Sequence, residues 1–120
     1  MFINNVEVKK GDCICGCCDE PMGFHYILGF AFQVDETNEN TLSCMFHEIS
    51  SDDHDVGYYP EKKTFKSCDA TMCGYNIFLV NKDIFEQVVE FFKTENFEEA
   101  DMFEYFDNIY KHAIKYINKY

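Results

Sequence analysis

Arginine is missing from this chain, and its absence says more about function than any motif that is present. All ten basic residues are lysine, set against 22 Asp and Glu, for a formal net charge of −12 over 120 residues. Without arginine there is no bidentate fork for phosphate or guanine. The surplus of carboxylates repels polyanions over a Debye length of about 10 Å. Direct binding to nucleic acid or to an anionic membrane is therefore disfavoured, since both rely on basic side chains neutralising phosphate. A partner, if there is one, is expected to be basic.

Long apolar runs are lacking as well. The longest, FHYILGFAF at 24–32, is interrupted by His25 and Gly29 and falls far short of the ~20 residues that span a bilayer. The opening MFINNVEVKKGD carries no basic stretch followed by an apolar segment of export-signal length, so a cytoplasmic location is expected. There is no phosphate loop, nucleotide fingerprint, HExxH or nucleophile elbow, and the reading is of a protein that is not an enzyme. With two prolines, six glycines and no repeat or low-complexity tract, nothing marks a linker, and residues 1–120 read as one domain.

What the chain has in quantity is aromatic surface: 13 Phe and 8 Tyr, within an apolar fraction of 47%. That is enough to drive collapse around a core. In GFHYILGFAFQVD, Phe24, Tyr26, Leu28, Phe30, Phe32 and Val34 alternate with His25, Ile27, Gly29, Ala31 and Gln33. The period of two predicts a strand with one strongly buried face. The polar DETNEN at 35–40 predicts a turn, and TLSCMFHEIS at 41–50 an antiparallel return strand. A further strand is expected around 58–66, where Pro60 argues for an edge or a bulge. CGYNIFLV at 73–80 reads as another strand, and 2–9 as a first one.

The period then changes. Asn81 offers an N-cap, and Ile84, Phe85, Val88, Phe91 and Phe92 recur as one helical stripe. Asn96 and Glu99 form a variant capping box. After it, Phe103, Phe106, Tyr110, Ala113 and Ile117 predict a second, longer helix. Strands first and helices last give the expected class: α+β, an antiparallel sheet of about 4–5 strands in the N-terminal two-thirds packed against two C-terminal helices.

Seven cysteines are present, four of them inside GDCICGCCDEP at 11–21. Cys15 and Cys18 have the CxxC spacing that lets two thiolates share one Zn²⁺, and Cys68 and Cys73 form a looser pair. Together they would make one structural zinc site, with Cys13, Cys17 or His25 as substitute ligands. The competing reading is that reduced thiols act as small apolar side chains, as Cys44 does on its strand. A disulfide framework is not expected in the cytoplasm. Asp12, Asp19 and Glu20 nearby raise thiol pKa values, which works against a reactive redox pair.

The carboxylates of the last helix precede its lysines and complement the helix dipole, so they serve stability. Residues 1–60 differ, holding eleven acidic groups against Lys9 and Lys10. Seven of the eleven lie in or beside two loops: Asp35, Glu36 and Glu39, then Glu48, Asp52, Asp53 and Asp55. A hairpin of 23–34 with 41–50 would put these loops at opposite ends. DETNEN lacks the glycine and closing Glu of an EF-hand loop, and DDHD would hold a divalent ion only weakly. The expected role is a solvated surface or a site for a basic protein, with Tyr58 and Tyr59 as aromatic anchors. Small, acidic, aromatic-rich chains without catalytic signatures are often inhibitors. Bacterial immunity proteins that block nuclease toxins have this profile, as do phage inhibitors that mimic nucleic acid. The alternative is a zinc-stabilised interaction module with no inhibitory role, and a homodimer would account for some of the aromatic surface.

Overall fold

The alternating segment at 25–37 forms the longest strand of a six-stranded antiparallel sheet. The computed structural model describes residues 1–17, 25–52, 55–66, 75–94 and 99–118. In chain order these are β1 (Phe2–Ile3), β2 (Val6–Glu7), β3 (Cys13–Cys17), β4 (His25–Thr37), β5 (Thr41–Asp52), β6 (Asp55–Lys66) and β7 (Asn76–Val80). Two helices follow, α1 (Lys82–Lys93) and α2 (Glu99–His112), and then β8 (Lys115–Asn118). The class is α+β as expected, with more strands in the sheet than the sequence suggested.

Strand order is β6-β5-β4-β3-β7-β8, every neighbour antiparallel. The turn between β4 and β5 is tighter than DETNEN implied, because β4 runs on to Thr37. Asn38 Oδ1 closes it, accepting from the backbone N–H of Asn40 at 2.8 Å and of Thr41 at 2.9 Å. β6 is an edge strand, so Pro60 withholds an N–H where a central strand would need one. Lys62, Lys63 and Lys66 on the same strand discourage edge-to-edge pairing.

The cysteine cluster is the first correction. Residues 13–17 are a central strand between β4 and β7, buried at every position, where the sequence reading placed no strand. Cys13, Cys15 and Cys17 turn to the helix side with Leu28, Ala31, Ile49, Phe78 and Val80, under Ile84, Val88 and Phe92 of α1 and Phe106 and Ile109 of α2. Ile14 turns to the opposite face. Cys and Ala are small, so α1 can lie close against the middle of the sheet.

That opposite face holds the aromatic core. Phe30, Phe32, Phe46 and Phe65 are fully buried there, with ring centroids 5.0 to 6.1 Å apart, alongside Leu42, Ile77, Met1, Ile3 and Val8. The register of β4 on β5 shifts at two places, between Ile27 and Gly29 and between Val34 and Glu36. The first sends Leu28 to the helix side while Phe30, Phe32 and Val34 stay on the aromatic side.

Residues 2–9 do not join the large sheet. They form a two-stranded hairpin, β1–β2, turned by Asn4 and Asn5 at φ 48° and 71°. Asn tolerates this left-handed region better than most residues. Asn81 caps α1 as expected, its Oδ1 accepting from the Ile84 N–H at 2.9 Å. The expected cap at Asn96 lies outside the described residues. α2 ends at His112, sooner than the pattern implied, and Ile117 is buried in β8 on the aromatic side. No helix among the described residues is long and apolar enough to cross a membrane.

Candidate functional site

The two acidic loops sit at opposite ends of the β4–β5–β6 meander. Asp35, Glu36 and Glu39 are exposed around the β4–β5 turn. Asp52 pairs with Asp55 at the other end, where β5 passes into β6, and Asp53 lies outside the described residues. Leu42 and Asp52 are ten residues apart on one strand, about 33 Å at the usual rise, within a molecule whose longest extent is 39 Å. Among the described residues, the fold therefore does not merge the carboxylates of the two loops into one surface.

The first end is also charge-mixed. Lys10 Nζ lies 3.0 Å from Glu36 Oε1. Lys9, Lys10, Glu7 and Glu39 line a shared cleft beside the N-terminal hairpin, and Lys66 pairs across from Thr41. Coulombic steering there is weakened by near neighbours of opposite charge.

Glu48 is tied down rather than presented. Its side chain is 14% exposed and meets Lys63 at 3.8 Å, and the Lys63 ammonium sits 4.7 Å over the Phe46 ring. Burial pushes the Glu48 carboxyl up, and Lys63 opposes that shift. Next to it, Tyr59 is 52% exposed on the edge strand. Gly57 keeps the space Tyr59 needs, since a Cβ there would stand 2.7 Å from the phenol oxygen.

Tyr58 behaves differently from its neighbour, and this corrects the expectation of two exposed anchors. It is half-buried on the helix side, with its hydroxyl 2.6 Å from His47 Nδ1. The two rings lie parallel within 2° at 5.9 Å, and Phe85 of α1 closes on His47 edge-on at 6.0 Å. Burial pushes the His47 pKa down, with Lys93 adding to the effect, and burial pushes the Tyr58 phenol up. Sequence reasoning did not single out this pair, which depends on the β5–β6 register of Ile49 with Tyr58.

A pH dependence follows from the His47 shift. The folded state favours the neutral ring, so the unfolded chain binds the proton first, near pH 6.5. Stability is expected to fall as pH drops through that value and to level off below the folded-state pKa. Urea midpoints measured between pH 7.5 and 5 should show this slope in the wild type and lose it in His47→Gln. A parallel pair of profiles would show that His47 does not couple to folding.

Of the four expected zinc ligands, only Cys15 lies among the described residues; Cys18, Cys68 and Cys73 lie outside them. Cys15 is fully buried, and burial holds its thiol far above the usual range. Burial raises Cys13 too, and pushes Cys44 up to about 12. Among the described residues no group of three His, Cys, Asp or Glu side chains is placed to hold a metal ion.

Comparison with known proteins adds no further constraint: no family model, no curated protein and no solved structure matches the chain.

Proposed function

We propose that this chain is an acidic binding protein that captures a basic protein and blocks its working surface, acting in the cytoplasm. A nuclease is the partner class that fits best, held in the manner of an immunity protein or a nucleic-acid mimic. One observation carries the reading. The β5–β6 end places Asp52 and Asp55 at paired backbone positions, with the exposed Tyr59 four residues after Asp55, in a chain of net charge −12. Carboxylates steer a cationic surface into place and raise the association rate. An exposed tyrosine supplies the apolar contact that slows dissociation. Among the described residues Lys9, Lys10 and Lys66 offset part of the charge at the β4–β5 turn, which favours the β5–β6 end as the docking face.

The test is to express the chain with the genes that neighbour its own and to examine the purified protein by native mass spectrometry. A one-to-one complex with a basic chain is the expected result. Its association rate should fall steeply with added salt, and by at least about tenfold when Asp52, Asp53 and Asp55 are changed together to Asn. Tyr59→Ala should cost about 2 kcal/mol of binding, a typical value for an aromatic anchor. Salt-insensitive binding that tolerates the triple change would remove the electrostatic basis. Recovery of the chain alone, or only as its own dimer, would leave the carboxylates to solubility.

A further inference from the structure

We propose that the open cleft between α1 and α2 receives the guanidinium of an arginine side chain from a basic protein partner. The cleft encloses about 400 Å³ and is lined by Phe91 of α1 and by Glu104, Tyr105, Asp107, Asn108 and Lys111 of α2. This deepens the reading above by naming the side chain that is held, and it rests on that reading for the identity of the partner as basic.

The wall of the cleft is aromatic. The Phe91 and Tyr105 rings stack 4.2 Å apart with planes within 2°. Tyr105 contributes its ring rather than its hydroxyl, because the hydroxyl is buried near the Cys15 and Cys17 thiols and has no hydrogen-bond partner among the described residues. The rim is charged. Lys111 Nζ lies 2.9 Å from Asp107 Oδ2, one turn away on the same helix, so these two charges answer each other. Glu104 is exposed and makes no ion pair among the described residues, leaving it as the uncompensated charge of the cleft. Asn108, one turn further on, adds an amide oxygen that can accept a hydrogen bond.

Four kinds of occupant are distinguished by this chemistry. An anion would meet Glu104 within a chain of net charge −12. An apolar group would strip water from Glu104 without pairing it, which is costly. A guanidinium satisfies both surfaces, since it is planar, weakly hydrated, lies well against aromatic rings and offers paired N–H donors to a carboxylate. A lysine ammonium would answer Glu104 but gain less from the aromatic wall, because it is compact and strongly hydrated.

The test titrates the full chain with N-acetyl-triarginine amide and with the matching citrulline peptide, following the Phe91 and Tyr105 ring resonances by NMR. Citrulline keeps the length and planarity of arginine and removes its charge. Saturable shifts at both rings with the arginine peptide, and none with citrulline, are expected. Glu104→Gln, at an exposed position, should weaken the apparent affinity about fivefold, the value of a favourable exposed charge pair. Glu36→Gln, remote from the cleft, should leave it unchanged. Equal shifts with citrulline, a titration indifferent to Glu104→Gln, or no saturable shift at either ring would each overturn the proposal. The peptide titration does not require the natural partner. A negative result would leave the acidic-binder reading standing, and failure to find a basic partner would not alter the titration.

Discussion

Gly16→Ala is expected to be among the most damaging single changes the chain can carry, although it adds only one methyl group. Gly16 lies on the central strand β3, directly across from Phe30 on β4. A Cβ built there would clash with the Cζ end of the Phe30 ring. The ring tip is the far end of a side chain and would move aside if it were free, but it is not free. Phe30 is fully buried, stacked on Phe46 at 5.0 Å and met edge-on by Tyr75 at 5.3 Å. Displacing it disturbs the whole aromatic face, so the cost should reach or exceed the about 1–3 kcal/mol usual for overpacking. Chemical denaturation should show this as a lower midpoint at unchanged m. The diagnostic is a double-mutant cycle. Phe30→Leu is destabilising alone, yet it should recover part of the Gly16→Ala loss, because it vacates the space the new methyl needs. Strict additivity of the two changes would mean that the ring and the missing side chain are not coupled.

Phe78→Ala should cost about 3–5 kcal/mol, the range for a large aromatic removed from a core without collapse. Phe78 lies on β7 and is fully buried on the helix side. Its ring meets Tyr110 of α2 edge-on at 4.8 Å and Tyr116 of β8 at 4.4 Å. It also stands opposite Cys15 across the β3–β7 ladder. The neighbours come from three separate elements, so none can shift to fill the gap without losing its own contacts. A domain of this size has about 5–15 kcal/mol of stability in all, and the variant should be close to unfolding at physiological temperature. A loss below about 1.5 kcal/mol would mean that the cavity collapses, and that the helix layer is looser than its packing suggests.

How much of this was legible in advance differs from element to element, for identifiable reasons. β4, β5, α1 and the Asn81 cap were readable because each carries a periodic contrast between apolar and polar positions. Pro60 correctly marked an edge, since a missing N–H is tolerated only there. β3 was not readable as a strand. Both of its faces are buried, so the alternation of Cys with Ile14 and Gly16 runs from apolar to apolar and carries no contrast. β8 was hidden for the opposite reason. Tyr110, Ala113 and Ile117 continue the helical spacing past the true end of α2, and pairing with β7 overrides that local preference. The site was less legible than the fold. The acidic loops were found at their correct ends, but the lysines that offset part of the charge of one of them come from distant segments. The His47–Tyr58 bond and the α1–α2 cleft depend on register and on helix placement, neither of which a single sequence states.

The position of β3 also sets an order of events during synthesis. β4, β5 and β6 follow one another through short connections and need only local encounters to pair. β3 pairs with β7 as well, and Cys13 meets Val80, which lies 67 residues further along the chain. That contact carries the larger loop-closure cost, and it is unavailable until the ribosome has released residue 80. Until then one side of β3 is an open edge, and Cys13, Cys15 and Cys17 wait for the helices that will cover them. The three thiols that are sealed in the finished molecule are thus accessible in the nascent one. For Cys13, Cys15 and Cys17, oxidation is chiefly a hazard of the interval before the helices cover them.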